Sequence, residues 1–330
     1  MKAYIRKIEY VLPDKIDENP KNRLTKKTGI LKRHICSENE IASDLAFRAA
    51  KKLFVSGVDK NSIDCLILCT QSPDYYLPTT ACLLQDKLGL PKTCGAFDYN
   101  LGCSGYIYGL SIAKGLIESE QAENILLVTA ETYSKYINSK DNTVLPLFGD
   151  GATATLISGI DVEESGLTGF VFGTDGSGYN KLIVPVGGMK NRVSETCVEE
   201  TTDDFGNTRT NLDLYMDGSA ISDFALEVVP DTLEKVLTKS NLKKDEVDYF
   251  VFHQANKFML EFLQMKCDLL GYPYWNDVKE YGNTVSSSIP IAIADMMRAI
   301  ADREIKKVLS IGFGVGLSWG GCVIDLRNIK

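Results

Sequence analysis

Three short segments of the sequence place residues that can do chemistry where a strand pattern gives way to a helix pattern. The first is Asp98-Tyr99-Asn100-Leu101-Gly102-Cys103-Ser104-Gly105, in which a cysteine stands between two glycines and a helical pattern follows. Sites in open α/β sheets gather at such strand ends. A thiol there faces unpaired N–H groups and the positive end of a helix, which favour the thiolate. The segment predicts a nucleophilic Cys103, and a buried structural cysteine is the alternative.

The second segment is Tyr249-Phe250-Val251-Phe252-His253-Gln254-Ala255-Asn256, where an apolar strand pattern ends at a histidine. The chain has only two histidines, and the other, His34, stands in the basic run Lys32-Arg33-His34. That run is typical of an exposed surface, so a histidine that takes part in chemistry is expected to be His253. A hydrogen-bonded structural histidine is the alternative.

The third segment, Glu280-Tyr281-Gly282-Asn283-Thr284, leads into Ser286-Ser287-Ser288-Ile289-Pro290. The serines and the early proline predict a helix N-cap and first turn. An asparagine beside a glycine is ordinarily a turn residue. Asn283 becomes a candidate only together with Cys103 and His253.

Glycine-rich segments predict no nucleotide site. Gly312-Phe313-Gly314-Val315-Gly316 resembles a dinucleotide loop, but only residues 317–330 follow it, fewer than the roughly 30 residues of the βαβ unit that such a loop needs. Gly149-Asp150-Gly151 and Gly176-Ser177-Gly178 lack the Lys-Ser/Thr ending of a P-loop. Both are interpreted as turns or close packing sites.

The composition excludes several classes of function. A formal charge of -8 disfavours nucleic acid, so any acidic partner would need a local basic patch, such as Lys26, Lys27, Lys32 and Arg33. Charges interrupt the first residues, and no run reaches the roughly 18 apolar residues of a membrane span. The nine scattered cysteines favour free thiols. We expect a cytoplasmic protein without a membrane segment or a metal site.

Helical and extended patterns alternate along the chain, which predicts an α/β fold. The two similar halves, 1–165 with the cysteine and 166–330 with His253 and Asn283, are joined without a linker, and Asn191–Asn211 is a polar excursion. Predicted helices are Ile41–Val55, Cys82–Leu88, Tyr106–Ile117, Ile221–Leu237, Lys257–Leu269 and Ile289–Ala301. Predicted strands are Ile63–Cys69, Cys94–Asp98, Asn124–Ala130, Tyr249–Phe252, Lys307–Ile311 and Ser318–Leu326.

Taken together, the motifs resemble those of the β-ketoacyl-acyl carrier protein synthase III family, which has the thiolase-like fold. The matching segments span nearly the whole chain: Thr28-Gly29-Ile30, Arg33-His34-Ile35, Gly102-Cys103-Ser104-Gly105, Phe148-Gly149-Asp150-Gly151-Ala152, Asp175-Gly176-Ser177-Gly178, His253-Gln254-Ala255-Asn256, Gly282-Asn283-Thr284 with Ser288 and Pro290, and Gly312-Phe313-Gly314-Val315-Gly316 with Trp319-Gly320. The resemblance implies a homodimer, a five-layered α/β/α/β/α arrangement of βαβαβ-type halves, and a catalytic triad of Cys103, His253 and Asn283.

The resemblance also implies a reaction, an acyl transfer followed by a decarboxylative condensation. Cys103 would take an acyl group from a thioester of coenzyme A or acyl carrier protein, and malonyl-acyl carrier protein would then be condensed with it. The backbone N–H groups of Cys103 and Val315 would form the oxyanion hole, and no further cofactor is expected. Residues implied to bind substrate are Thr28, Gly218, Asn256 and Phe313. The product would start a fatty acid or a specialised acyl chain.

Some positions depart from the family pattern. Where many members carry a tryptophan and an arginine that sandwich the adenine of coenzyme A, this chain has Arg23 and Asn142. Basic residues that dock the carrier correspond to Asp223 and Phe258, while Lys27 keeps one positive charge. We therefore expect a donor that is not held by its adenine and that arrives on a carrier protein.

Other activities remain open from the sequence. A specialised acyltransferase would pass the acyl group from Cys103 to a hydroxyl or amine, and an inactive partner subunit would lack the nucleophile that is present here. Elongating synthases use two histidines, and thiolases carry a second cysteine where Val315 stands. Hydroxymethylglutaryl synthases also pair a cysteine with a histidine and an asparagine, but they add a catalytic glutamate upstream. The donor chain length depends on the packing of loops such as Tyr75-Tyr76-Leu77-Pro78.

Overall fold

A computed structural model describes residues 1–300 and 305–329. Its helices are α1 (Arg23–Thr28), α2 (Ala42–Val55), α3 (Thr80–Leu88), α4 (Gly105–Glu118), α5 (Gly218–Ser240), α6 (Lys257–Lys266), α7 (Val278–Tyr281) and α8 (Ser288–Ala299). Its strands are β1 (Lys2–Val11), β2 (Ile16–Glu18), β3 (Lys32–His34), β4 (Cys65–Cys69), β5 (Gly95–Tyr99), β6 (Asn124–Glu131), β7 (Gly151–Ile160), β8 (Leu167–Thr174), β9 (Leu182–Ile183), β10 (Thr201–Thr202), β11 (Thr208–Arg209), β12 (Tyr215–Met216), β13 (Tyr249–Phe252), β14 (Lys307–Gly314) and β15 (Ser318–Asp325).

Every predicted helix and strand is present, and the differences are confined to the ends. Helix α5 begins at Gly218 rather than Ile221, because the Asp217 carboxylate accepts the N–H of Ala220 and caps the helix one turn earlier. Helix α6 ends at Lys266 rather than Leu269. The last residue of the predicted helix Ile289–Ala301, and Lys330 at the end of the predicted second half, lie outside the described residues.

The two main sheets follow one strand order, which confirms two similar halves. The first runs β1-β7-β6-β4-β5, with β4, β5 and β6 parallel and β7 antiparallel to its neighbours. The second runs β8-β15-β14-β13 in the equivalent order. The counterpart of β5 is reduced to one parallel bridge between Phe250 and Tyr274. A domain boundary near residue 165 stays a prediction; β7 ends at Ile160 and β8 begins at Leu167.

Helices pack with their apolar faces outside and between the two sheets, which gives the five layers that the resemblance implied. Helices α2 and α3 pack on the outer face of the first sheet, and α5 and α6 on the outer face of the second. Helices α4 and α8 lie between the sheets, where Tyr106 and Ile289 are almost fully buried in a core shared by both halves. This central layer carries the site, because α4 begins just after Cys103 and α8 begins just after Asn283.

The described helices are all too short or too polar to cross a membrane. The nine cysteines all lie in described residues and are free thiols.

Candidate active site

Cys103 lies in a tight turn at the start of α4. The N–H of Gly105 donates to the Gly102 carbonyl over 2.8 Å, and the Cys103 side chain is only 4% exposed. Burial raises the pKa of the Cys103 thiol, the Glu131 carboxyl raises it further, and the backbone N–H of Cys103 opposes both. The backbone N–H thus favours the thiolate, as the sequence predicted, but desolvation outweighs it and keeps the resting Cys103 a thiol. The thiol needs a group that takes its proton.

Glycines of β14 allow that strand to touch the turn that carries Cys103. A Cβ atom on Gly312 would lie 2.6 Å from the Cys103 carbonyl oxygen, and one on Gly314 would lie 3.0 Å from Cys103 Cβ and Sγ. The first distance is shorter than packed atoms adopt, and the second is tighter than most packed contacts. The glycine-rich segment that could not bind a nucleotide therefore serves a different purpose, the close approach of β14 to the sulfur.

His253 follows β13 and is held on both sides of its ring. Its backbone N–H donates to the Ile311 carbonyl over 2.9 Å, and its Nδ1 lies 2.7 Å from Ser288 Oγ. The ring stands at 83° to that of Phe313, with centroids 5.4 Å apart. Burial lowers the pKa of His253 to about 3, so the imidazole is neutral at physiological pH. Nε2 is left to exchange a proton or a hydrogen bond with a substrate.

The side-chain amide of Asn283 has a fixed orientation. Its Oδ1 accepts the N–H of Val285 over 2.9 Å, and its backbone bonds to Leu147 and Gly149. Nδ2 is therefore the atom that remains to donate to a ligand. Val285 itself has φ 55°, a left-handed conformation that costs a β-branched residue about 1–3 kcal/mol. The hydrogen bond that Val285 donates to Asn283 Oδ1 stabilises this strained residue next to the site.

The three serines at the start of α8, Ser286, Ser287 and Ser288, have other roles than the predicted capping. The helix begins where expected, but Ser287, the N-cap residue, makes no capping hydrogen bond. Its hydroxyl bonds to Thr129 and to the Gly151 carbonyl. Ser286 donates to Glu131 over 2.8 Å, and Ser288 contacts His253. Because all three serines are buried, their hydroxyls bond to residues that are distant in the sequence rather than to the first N–H groups of the helix.

Glu131, at the end of β6, is a buried acid that the sequence interpretation missed. It is 0% exposed and accepts hydrogen bonds from the Ser286 hydroxyl, the Gln71 N–H and the Ser72 hydroxyl. Burial raises its pKa to about 8 despite these donors. The sequence did contain a signal for this residue. Glu131 directly follows the predicted strand 124–130, and an acid at the end of a buried strand is expected to be buried with it.

One cavity of about 220 Å³ brings the candidate residues together. Cys103, His253 and Asn283 all line it. So do the four residues expected to bind substrate, Thr28, Gly218, Asn256 and Phe313. Val315 is outside the lining and packs instead against the cluster of apolar residues around Cys103.

The basic N-terminal segment is divided by the fold. Arg33 is 2% exposed and paired with Asp17, so it is no surface residue. His34 lies away from the cavity, with Nδ1 2.7 Å from the Pro13 carbonyl. Lys27 remains at the cavity, 4.4 Å above the ring of Phe258.

Comparison with known proteins identifies the family. Its profiles, described as 3-oxoacyl-[acyl-carrier-protein] synthase III and the C-terminal part of that enzyme, match residues 97–176 and 237–326. A β-ketoacyl-[acyl-carrier-protein] synthase III of Clostridioides difficile is 36% identical over 312 residues, 94% of this chain and 92% of the relative. The chain belongs to the 3-oxoacyl-[acyl-carrier-protein] synthase III family.

Solved structures of family members agree with this membership. A 3-oxoacyl-(acyl-carrier-protein) synthase III superposes with a TM-score of 0.95 at 43% identity, covering 98% of this chain and 100% of the other. The priming β-ketosynthase of the R1128 polyketide pathway superposes with a TM-score of 0.81 at 25% identity, covering 98% and 96%. The thiolase-like fold is thus confirmed.

We expect Ser288→Ala to weaken every step that uses His253 Nε2. The variant leaves Nδ1 without its partner in a buried site, so the ring is no longer held toward the cavity. A hydrogen bond of this kind is worth about 0.5–1.5 kcal/mol, which predicts a loss of about three- to tenfold in condensation rate. Steady-state kinetics would show the loss, measured at a temperature at which both proteins are fully folded, because the unpaired Nδ1 also lowers stability. Ser288→Thr restores the hydroxyl; if that variant were as slow as Ser288→Ala, the hydrogen bond would not be the cause.

Glu131→Gln should make Cys103 more reactive at alkaline pH. Ionisation of Glu131 near pH 8 raises the pKa of the Cys103 thiol, and each unit of pKa removed gives about tenfold more thiolate. Alkylation of Cys103 by iodoacetamide should be faster in the variant at pH 9 and equal in both proteins at pH 6. Glu123→Gln, at an exposed position directly before the same strand, is the control and should match the wild type at both pH values.

The same carboxyl makes stability depend on pH. Its pKa is raised in the folded chain, to about 8 from an ordinary 4.5. The stabilisation by the protonated form is therefore complete below pH 4.5 and is lost as pH rises through 8. Glu131→Gln should lose less stability than the wild type between pH 5 and pH 9 in denaturant titrations.

Proposed function

We propose that this chain catalyses the condensation that starts an acyl chain, by transfer of an acyl group to Cys103 and attack of a malonyl-derived enolate on it. The observation that carries the proposal is the meeting of Cys103, His253 and Asn283 in the wall of one cavity. A buried thiol, a neutral imidazole and an oriented amide suit this chemistry, since the reaction needs one nucleophile and two hydrogen-bond donors.

In the first step, the Cys103 sulfur attacks the carbonyl carbon of an acyl thioester. The thiol proton passes to His253 Nε2, which is free to accept it because the ring is neutral. The bond between the carbonyl carbon and the donor sulfur then breaks, and the departing thiolate takes the proton from His253. Throughout, the Ser288 hydroxyl can accept from or donate to Nδ1, so it serves either tautomer.

In the second step, the malonyl carboxylate leaves as carbon dioxide, and its bonding electron pair forms an enolate on the thioester. Asn283 Nδ2 and His253 Nε2 would donate to the enolate oxygen, and each such donor is typically worth about 10²–10³ in rate. Phe313, packed against His253, presents an apolar wall where the charged carboxylate is disfavoured.

The enolate carbon then attacks the acyl-Cys103 carbonyl and forms the new carbon–carbon bond. We propose that the backbone N–H groups of Cys103 and Val315 bind the resulting oxyanion. Its collapse breaks the bond to Cys103 Sγ, releases the 3-oxoacyl thioester, and leaves a thiolate that takes one proton from solvent. One malonyl thioester and one acyl thioester thus give one elongated thioester, one thiol and carbon dioxide.

The decisive experiment loads the protein with an acyl thioester and adds malonyl-acyl carrier protein. The proposal expects a product longer by two carbons together with carbon dioxide. Acyl transfer to a hydroxyl or amine acceptor without carbon dioxide would instead establish the alternative acyltransferase. Intact-protein mass spectrometry with a panel of acyl-coenzyme A and acyl-carrier donors would also give the preferred chain length.

We propose acyl carrier protein as the partner that delivers the donor. Arg23 and Asn142, which stand where relatives stack the adenine, are both exposed and neither lines the cavity. Lys26 and Lys27 on the same short helix offer positive charge to an acidic carrier. Asp223 is exposed on α5 and adds no positive charge there.

Arg23→Trp should therefore improve the binding of acetyl-coenzyme A. Stacking of a base on an aromatic ring is worth about 1–3 kcal/mol, so we expect a dissociation constant at least fivefold lower by calorimetry. Arg23→Ala is the control and should not tighten binding. If the wild type already bound as tightly as a relative with tryptophan in this position, the carrier-borne donor would be contradicted.

We further propose that the chain acts as a cytoplasmic homodimer. Strand β5 is an edge of the first sheet, and Phe97 on it is 36% exposed. Tyr76 and Leu77, which precede the segment bonded to Asp98 of β5, are 82% and 83% exposed. An unpaired edge with apolar neighbours favours pairing with a second copy. Sedimentation of the wild type and of Leu77→Asp would test the dimer.

A further inference from the structure

We propose that the hairpin of β10 and β11, residues 201–209, positions the entrance loop, residues 138–144, and thereby sets the KM for the acyl donor. The inference rests on the proposed function for its kinetic part only. The hairpin lies in the polar excursion that the sequence marked but that the reaction did not use. In the folded chain this excursion reaches back to the cavity.

Thr143 is the residue of the entrance loop that lines the cavity. Its hydroxyl donates to Asn207 Oδ1 over 3.0 Å, and its N–H donates to Asp141 Oδ1 over 3.0 Å. Asn207 is only 5% exposed and its amide donates to both Asp203 oxygens. A wall residue of the cavity is therefore held directly by a buried side chain of the hairpin.

A second contact joins the same two segments. The Arg209 guanidinium binds Asp141 over 2.5 Å and Asp203 over 2.7 Å, so it bridges loop and hairpin. Asp141 is 1% exposed and Arg209 is 15% exposed. The pair with Asp141 is costly to break, because that carboxylate would be left buried without its charged partner. The Thr208 N–H adds a bond to the Lys140 carbonyl over 3.3 Å.

The entrance loop also extends toward the nucleophile. Asp141 Oδ1 accepts the N–H of Val144 over 3.0 Å. Val144 is 1% exposed and packs in the cluster that contains Cys103, Tyr133 and Phe148. The hairpin thus fixes the outer end of a loop whose inner end belongs to the surroundings of Cys103.

The hairpin holds Thr143 in place before the donor arrives. Binding of an acyl thioester then does not have to order the loop, which lowers the free-energy cost of binding. Without the hairpin contact, binding must order the loop, so KM rises. The reaction of a bound donor and the intrinsic reactivity of Cys103 should change little. A KM effect without a kcat effect separates positioning from a general loss of structure.

The test uses Thr143→Val, Asn207→Ala and the double variant of the full chain, with acyl-carrier donor. Each single variant should raise KM about three- to tenfold, the value of one hydrogen bond, with kcat within about twofold. The double variant should equal Asn207→Ala, because the Thr143–Asn207 bond is already gone in that single variant and Thr143→Val then removes nothing more between loop and hairpin. Alkylation of Cys103 by iodoacetamide should stay unchanged. Asp204→Asn is the control: Asp204 is exposed on the same hairpin and has no side-chain bond within the described ranges.

Hydrogen exchange provides a readout that needs no substrate. Amides of residues 143 and 144 should exchange faster in Asn207→Ala than in the wild type or Asp204→Asn. Unchanged exchange together with unchanged KM would overturn the proposal, as would additive effects in the double variant or a parallel loss of Cys103 alkylation. If the wild type formed no acyl-Cys103 at all, the proposed function would fail, and exchange would still decide whether the hairpin holds the loop.

Discussion

Cys103→Ala should form no acyl-enzyme with any thioester donor and should lose condensation activity by at least about 10³-fold. The loss is this large because the acyl group has no covalent acceptor, and the remaining groups can only bind and polarise substrates. The sulfur sits against Gly314 in the wall of the cavity, so alanine fits the space that it leaves. Intact-protein mass after incubation with donor measures the adduct directly.

Cys267→Ala provides the matched control for this variant. Cys267 is also buried, at 3% exposure, but packs in the core on the outer side of the second sheet. It should acylate like the wild type. Decarboxylation of malonyl thioester should persist in Cys103→Ala, because His253 and Asn283 remain. An adduct of equal mass on Cys103→Ala would show that another residue is the nucleophile.

Asn283→Asp should slow decarboxylation of the malonyl thioester by about 10²–10³, the typical value of one oxyanion donor. Aspartate keeps the Oδ1 acceptor for the Val285 N–H, so the strained backbone at Val285 stays supported. It replaces the Nδ2 donor with an oxygen, which repels the developing enolate. Carbon dioxide release from malonyl-acyl carrier protein is the quantity to measure.

Acylation of Cys103 is the internal control in this experiment. The first step does not use the Asn283 donor, so the acyl adduct should form within about tenfold of the wild-type rate. A variant that lost acylation and decarboxylation equally would place Asn283 in the structure of the site rather than in the second step. Asn283→Ala should be the less stable variant, because it also removes the bond to Val285.

Much of the fold and of the candidate site could be predicted from the sequence because the signals are local. Apolar runs and helical spacing predicted the main elements, the ends of predicted strands marked Cys103 and His253, and a loop before a helix pattern supplied Asn283. The ordered motifs then implied the family, which the comparisons confirm. These features depend on residue type and spacing, which a single chain displays directly.

Other features depend on atoms that are distant in the sequence. The cysteine and glycine turn predicted an activated thiol, whereas the folded environment raises the pKa of Cys103 through burial and Glu131. The serines at the start of α8 predicted a helix cap, whereas the Ser288 hydroxyl forms a hydrogen bond with His253. The polar excursion has no sequence pattern that predicts a role, whereas the fold places its Asn207 beside Thr143.

Cys103 thus owes its identity as the candidate nucleophile to the sequence and its working state to the tertiary structure. Residue type and a strand-to-helix junction are local, so they can be read along the chain. Desolvation, hydrogen-bond partners and the walls of the cavity arise only when the two halves pack around the central helices. These are the quantities that decide how a thiol reacts.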